Sequence, residues 1–240
     1  MPDGRSLQAM AASDSRRAML PAAHIQRGGY AQMMPNTNEL GLFALGLVLL
    51  PGERVPLHIF EPRYRQLFAD CVLEDTPFVV LYSEDETTAS TGCAARFDEL
   101  LERHDDGRIS VVVRGLEPVE ILREIDGRMY YRAECRTCTD SASTVDPTRT
   151  AQATERFAAL AEHATGSAQT PEPEDGIPWS YVLASHVELP SVIKQELLET
   201  RDENARLDLV TGALEHELAG HKRAELAAEV APTNGKVPLD

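Results

Sequence analysis

The sequence predicts an α+β protein with a β-rich first part and a helical second part. Three observations carry this. Apolar and polar residues alternate from residue 40 to about 138, turn signals at Pro51-Gly52, Asp106-Gly107 and Asp126-Gly127 punctuate the alternation, and beyond Ser141 the spacing becomes helical. The expected boundaries are a disordered N-terminal extension over 1–37, a β-rich subdomain over 38–140, a helical subdomain over 147–222 and a disordered tail over 223–240.

The first thirty or so residues carry Arg5, Arg16, Arg17 and Arg27 among Ala, Ser and Gly, without the apolar stretch of a secretory signal. Met33-Met34 stands just before the first ordered pattern, so the extension reads as lying upstream of a later start. In Val55-Pro-Leu-His-Ile-Phe60, Val55, Leu57 and Ile59 share one strand face and His58 and Phe60 point the other way. Pro56 marks that strand as an edge or a strand start. Glu61-Pro62 then opens a helix, where proline's missing N–H costs nothing. Its apolar stripe is Tyr64, Leu67, Phe68, Cys71 and Val72.

Further strands are expected at 77–82, 92–101, 108–113, 116–123 and 129–137, with the two Asp-Gly turns joining antiparallel neighbours and the sheet closing into a barrel-like form. The acidic run over 83–90 reads as a solvated loop. A helix beginning near Pro147 carries Phe157, Leu160, Ala161 and Ala164, and a Gly- and Pro-rich linker follows over 165–178. Helical spacing resumes at Trp179, Val182 and Leu183, and again over 190–198. Thr200-Arg-Asp-Glu203 fits a capping box before a last helix whose stripe is Leu207, Val210, Leu214 and Leu218.

At 240 residues, with 42% hydrophobic and 26% charged residues, the chain can bury the core of one or two domains. The longest apolar run, around 42–50, is broken by Gly46 and stopped by Pro51-Gly52, well short of the roughly 20 residues of a membrane helix. No membrane partner is expected. The net charge of −16 repels phosphate backbones, so nucleic acid is not expected either. Four cysteines without a secretory signal suit free thiols in the cytoplasm.

Leu40-Gly-Leu-Phe-Ala-Leu45, Val48-Leu-Leu-Pro-Gly-Glu53 and Pro56-Leu-His-Ile-Phe-Glu-Pro-Arg-Tyr64 together resemble the opening signature of the Lon N-terminal domain family. Gly92-Cys93, Asp106-Gly-Arg108, Arg114-Gly115, Tyr130-Tyr131, Lys194-Gln-Glu-Leu-Leu-Glu199 and Asn204-Ala-Arg-Leu207 follow in the family's order, over roughly 39–221. Ala44 departs from it, standing where a proline is common. The resemblance implies a PUA-like β pseudo-barrel with one internal helix, followed by a C-terminal helical bundle. It also implies a non-catalytic module that recognises polypeptide segments. The expected role is an adaptor in protein quality control or proteolysis, taking unfolded or extended segments, needing no cofactor and recruiting a protease in trans. No G-x-x-x-x-G-K-[ST] phosphate loop occurs in the sequence.

His58 and Phe60, together with Arg63 and Tyr64, are the expected polypeptide-contacting residues. An acid–base cluster of His58, Glu61 and Arg63 is disfavoured, because Glu61 suits the helix dipole and Arg63 can pair with it. Cys135-Arg-Thr-Cys138 has the spacing of a zinc or redox pair, and a metal- or thiol-dependent enzyme is the alternative it supports. On an extended strand, however, a separation of three sends the two thiols to opposite faces. His216 and His221, five apart, diverge by about 140° around a helix and do not share a metal easily. Ser191-Val-Ile-Lys194 matches S-x-x-K without the companion motifs of that enzyme class. A small-ligand pocket inside the pseudo-barrel is a third reading.

Overall fold

The computed structural model describes residues 37–85, 87–126 and 128–230. In them the alternating segments become β1 (Thr37–Leu45), β2 (Arg54–Ile59), β3 (Phe78–Glu84), β4 (Thr87–Thr88), β5 (Thr91–Arg103), β6 (Ile109–Ile125) and β7 (Arg132–Thr137). The helices are α1 (Pro62–Glu74), α2 (Pro147–Thr165), α3 (Trp179–Ser185), α4 (Ser191–Glu199) and α5 (Glu203–Val230).

The sheet follows the path β1-β7-β6-β5-β3, and β1 also pairs in parallel with β3, so five strands close a ring. Every strand of that ring sends apolar side chains to one shared cluster: Leu40 and Leu42, Val79 and Leu81, Ala94, Val119, and Ala133 and Cys135. These fill the barrel interior, as small barrels require. On the opposite faces of the same strands Phe43, Phe78, Val80 and Ala95 join a larger core with α1 and with the helices that follow. Phe43 makes edge contacts with Tyr64 and Phe68 at 4.3 and 5.6 Å, pinning α1 to the ring. In α1, Tyr64, Leu67, Phe68 and Cys71 are buried as the stripe predicts, but Val72 is 57% exposed.

Other expectations need correction as well. The two strands expected over 108–113 and 116–123 are one, β6, whose first half pairs with β2 and whose second half pairs with β7. Gly115 makes that continuity possible. A Cβ there would lie 2.1 Å from the Leu50 carbonyl oxygen, and the backbone of 50–53 is bonded to Gly115 at both its N–H and its C=O. The acidic run over 83–90 is not an open loop. Its chain turns at Asp85, whose φ of 53° is tolerated by Asp, and β4 pairs back on Ser83 and Glu84.

The last strand starts at Arg132 rather than 129, because Tyr130 turns inward to give its hydroxyl proton to Asp70 at 2.8 Å. Finally, Thr200 does not form a capping box. Its hydroxyl donates to Glu196 O at the end of α4, and Asp202 Oδ1 instead caps α5 through Ala205 N at 2.9 Å.

Helix α5 continues to Val230, past residue 223 where the tail was expected to begin. The expected extension over 1–37 falls, apart from Thr37 in β1, outside the described residues, as does 231–240. All described residues belong to one compact unit. Its larger core draws on both halves, with Tyr181, Leu183, Leu197, Leu198 and Leu207 joining Leu49, Leu50 and Phe78, all almost fully buried.

Candidate functional site

Strand β2 positions the residues singled out in the sequence. Its burial alternates as expected, with Arg54, Pro56 and His58 exposed, Val55 and Leu57 half-buried and Ile59 buried. β2 pairs with β6 alone, so its other edge has no strand partner among the described residues. His58 Nδ1 lies 3.1 Å from Ser110 Oγ on β6, its ring stacks toward Phe60 with centroids 6.3 Å apart, and His104 meets it edge-on at 5.4 Å. Phe60 is 58% exposed. An exposed phenylalanine beside an imidazole therefore stands at the end of a strand edge that no other strand pairs with among the described residues.

Arg63 donates from Nε to Glu61 Oε2 at 2.9 Å, and its guanidinium lies over the Tyr64 ring, 4.5 Å from the centroid. Glu61 and Arg63 are therefore engaged with each other. Tyr64 is only 5% exposed and donates its hydroxyl to Ala44 O at 3.2 Å, while burial pushes its phenol up from its ordinary value. Tyr64 thus supports the surface from beneath. His58 and Phe60 are exposed, and Arg63 is half-buried.

The cysteine pair is placed differently. Cys135 points into the barrel interior, where burial pushes its thiol up to about 11, whereas Cys138 lies half-buried just past the end of β7. Burial also raises the thiols of Cys71, Cys93 and Cys138, so all four favour the unreactive protonated form at neutral pH. Among the described residues no group of three or more His, Cys, Asp or Glu side chains is arranged to hold a metal ion. Lys194 of the S-x-x-K sequence is bound to Glu53 at 2.5 Å, so its ammonium serves an ion pair between α4 and the barrel. His221 lies beside His163 of α2, with centroids 5.9 Å apart.

Sequence reasoning missed a buried ionic cluster. Arg206 of α5 is fully buried. Its guanidinium donates to both oxygens of Asp140, to Glu203 Oε2, to Ser180 Oγ and to the Thr200 carbonyl, and it covers the Tyr181 ring at 4.6 Å. Glu203 in turn accepts from Ser180 N and Oγ, which caps α3 at 2.9 and 2.6 Å. The spacing of Glu203 and Arg206 on one helix face was readable, but neither Asp140 nor Ser180 lies near them in sequence.

Two grooves flank this core. One, of about 430 Å³, runs between the barrel and the α3–α4 loop, and a second, of about 540 Å³, runs between α2, α5 and the segment over 165–171.

The family model of the ATP-dependent protease La (LON) substrate-binding domain matches residues 39–216. Among solved structures, a crystal structure of a Lon N-terminal domain protein from Xanthomonas campestris is 26% identical. It has a TM-score of 0.56 over 73% of this chain and 98% of that one. The N-terminal domain of a Mycobacterium avium complex Lon protease shares the fold at 18% identity and a TM-score of 0.60, over 74% of this chain and 98% of that one. No curated protein matches the chain. Among the described residues, no helix is long and apolar enough to cross a membrane.

Proposed function

The chain belongs to the LON substrate-binding domain family, and from that premise we propose that it is a recognition module for unfolded or extended polypeptide segments, with no chemistry of its own and no obligatory cofactor. The observation that carries the reading is the β2 edge, without a strand partner among the described residues, ending in the stacked His58 and Phe60. An extended segment laid beside β2 would use backbone groups of that edge for affinity and Phe60 as an apolar anchor. Arg63, held by Glu61, offers a planar face at the same end. Handing a bound segment to a protease in trans, in a soluble cytoplasmic setting, is the adaptor role this reading suggests.

The packed barrel interior and the raised cysteine thiols favour recognition over the ligand-barrel and thiol-enzyme readings. The test is equilibrium binding of a fluorescent unfolded polypeptide to the full chain and to Phe60→Ala. Loss of one aromatic anchor is expected to weaken binding about tenfold, equivalent to about 1.4 kcal/mol, with the melting temperature almost unchanged because Phe60 is mostly exposed. Unchanged affinity in Phe60→Ala would remove the β2 surface from the site.

A further inference from the structure

The two grooves meet at the α3–α4 loop, since His186, Val187 and Glu188 line both. The first is walled on the barrel side by Leu47, Val48 and Val55, and Val55 lies on β2 itself. The second is floored by Phe157, Leu160 and Ala161 of α2 and closed on the far side by α5. The two grooves thus lie on one stretch of surface, from the β2 strand past the α3–α4 loop into the helical half, with apolar residues at their floors and polar residues at their rims, and together they form a trough.

The charges on its walls are one-sided. Lys194 lines the first groove, but its ammonium is neutralised by Glu53, and both side chains are largely buried. His186 holds its Nδ1 2.8 Å from the Val182 carbonyl. Glu188 and Glu217, by contrast, make no ion pair among the described residues, and each faces a groove. The surrounding segment over 147–226 carries fourteen Asp and Glu against seven Lys and Arg. Apolar floors with unneutralised carboxylates at the walls fit a cation attached to an apolar group and repel an anionic one.

Building on the polypeptide-binding reading, we infer that this trough takes a segment in which Leu or Phe side chains are flanked by Lys or Arg. The apolar side chains enter the two grooves on either side of Val187, and the flanking cations meet Glu188 and Glu217. Selection for basic, apolar segments is thus a property of the helical half.

The probe is a pair of fluorescein-labelled twelve-residue peptides, each with two Leu and two Phe, one carrying four Arg and the other four Glu. Their binding to the full chain is read by anisotropy. The Arg peptide is expected to bind at least tenfold tighter, with the advantage shrinking as salt screens the carboxylates. The double variant Glu188→Lys, Glu217→Lys should abolish that preference. Ala164→Trp, at an exposed position of α2 lining the second groove, should weaken the Arg peptide about fivefold without lowering the melting temperature.

Equal affinity for the two peptides, or an Arg preference that survives both sets of changes, overturns the trough as the selective site. Phe60→Ala measured alongside separates the two claims. If it weakens both peptides while the trough variants change nothing, the β2 reading stands and the trough falls. If only the trough variants act, the trough stands and the β2 surface falls.

Discussion

Removing the Arg206 side chain would leave the carboxylates of Glu203 and Asp140 converging on the space it vacates without the guanidinium that pairs them. Breaking a buried pair from one side costs about 3–5 kcal/mol, more than most single contacts contribute. Arg206→Met is therefore expected to lower the melting temperature by about 6–20 °C, at roughly 2–4 °C per kcal/mol for a chain of this size. Thermal denaturation followed by circular dichroism checks it, and a change below 2 °C would mean that the cluster contributes little.

The cysteines allow a second prediction at this scale. Burial holds the Cys71 and Cys135 thiols at about 11 in the folded chain, above their ordinary value of 9.0. A folded-state pKa raised in this way contributes stability that is complete below about pH 9 and is lost as pH rises through about 11. The melting temperature should accordingly fall more between pH 8 and pH 10.5 in the natural chain than in the double variant Cys71→Ala, Cys135→Ala. At pH 8 an aqueous thiol reagent should modify the half-buried Cys138 first and the three buried cysteines only on unfolding, as peptide mass mapping would show.

Among the elements, β6 shows where local patterning misleads. Gly115 reads as a break between two strands because glycine has no side chain to continue the alternation. The fold uses it because the Leu50 backbone must pass where a Cβ would stand. Gly115→Ala is thus expected to destabilise by about 1–3 kcal/mol through overpacking against backbone that cannot turn aside. Urea denaturation would detect this, and a neutral substitution would show that the strand relaxes there.

Helix α1 and strand β2 were legible from residue spacing, since their stripes depend on neighbours three, four or two residues away. The end of α4 and the start of α5 were not. Thr200 and Glu203 have the spacing of a capping box, but Glu203 is drawn to Ser180 and Arg206, and Asp202 takes the cap. The exposed part of the candidate site, His58 and Phe60, was readable from strand alternation. The burial of Tyr64 under Arg63 and Ala44 depends on how α1 meets β1.

Across the whole molecule, the β-rich and helical halves share one core, although the sequence changes character between them near residue 141. Residues 38–140 alone would lack Tyr181, Leu183, Leu197, Leu198 and Leu207, each nearly fully buried in the intact chain. The fragment is expected to show no cooperative unfolding transition, whereas the full chain unfolds in one. Calorimetry distinguishes the two, and a sharp transition in the fragment would establish the halves as independent.

The shared core also holds the proposed trough and the β2 edge in one unit. The measurement that tests the recognition role most directly is binding by the full chain of one globular protein presented in its native form and in its chemically unfolded form, at equal concentration and salt. The unfolded form is predicted to bind at micromolar or better affinity and the native form at least a hundredfold more weakly. Equal binding of both forms, or binding of neither, would contradict recognition of exposed polypeptide segments.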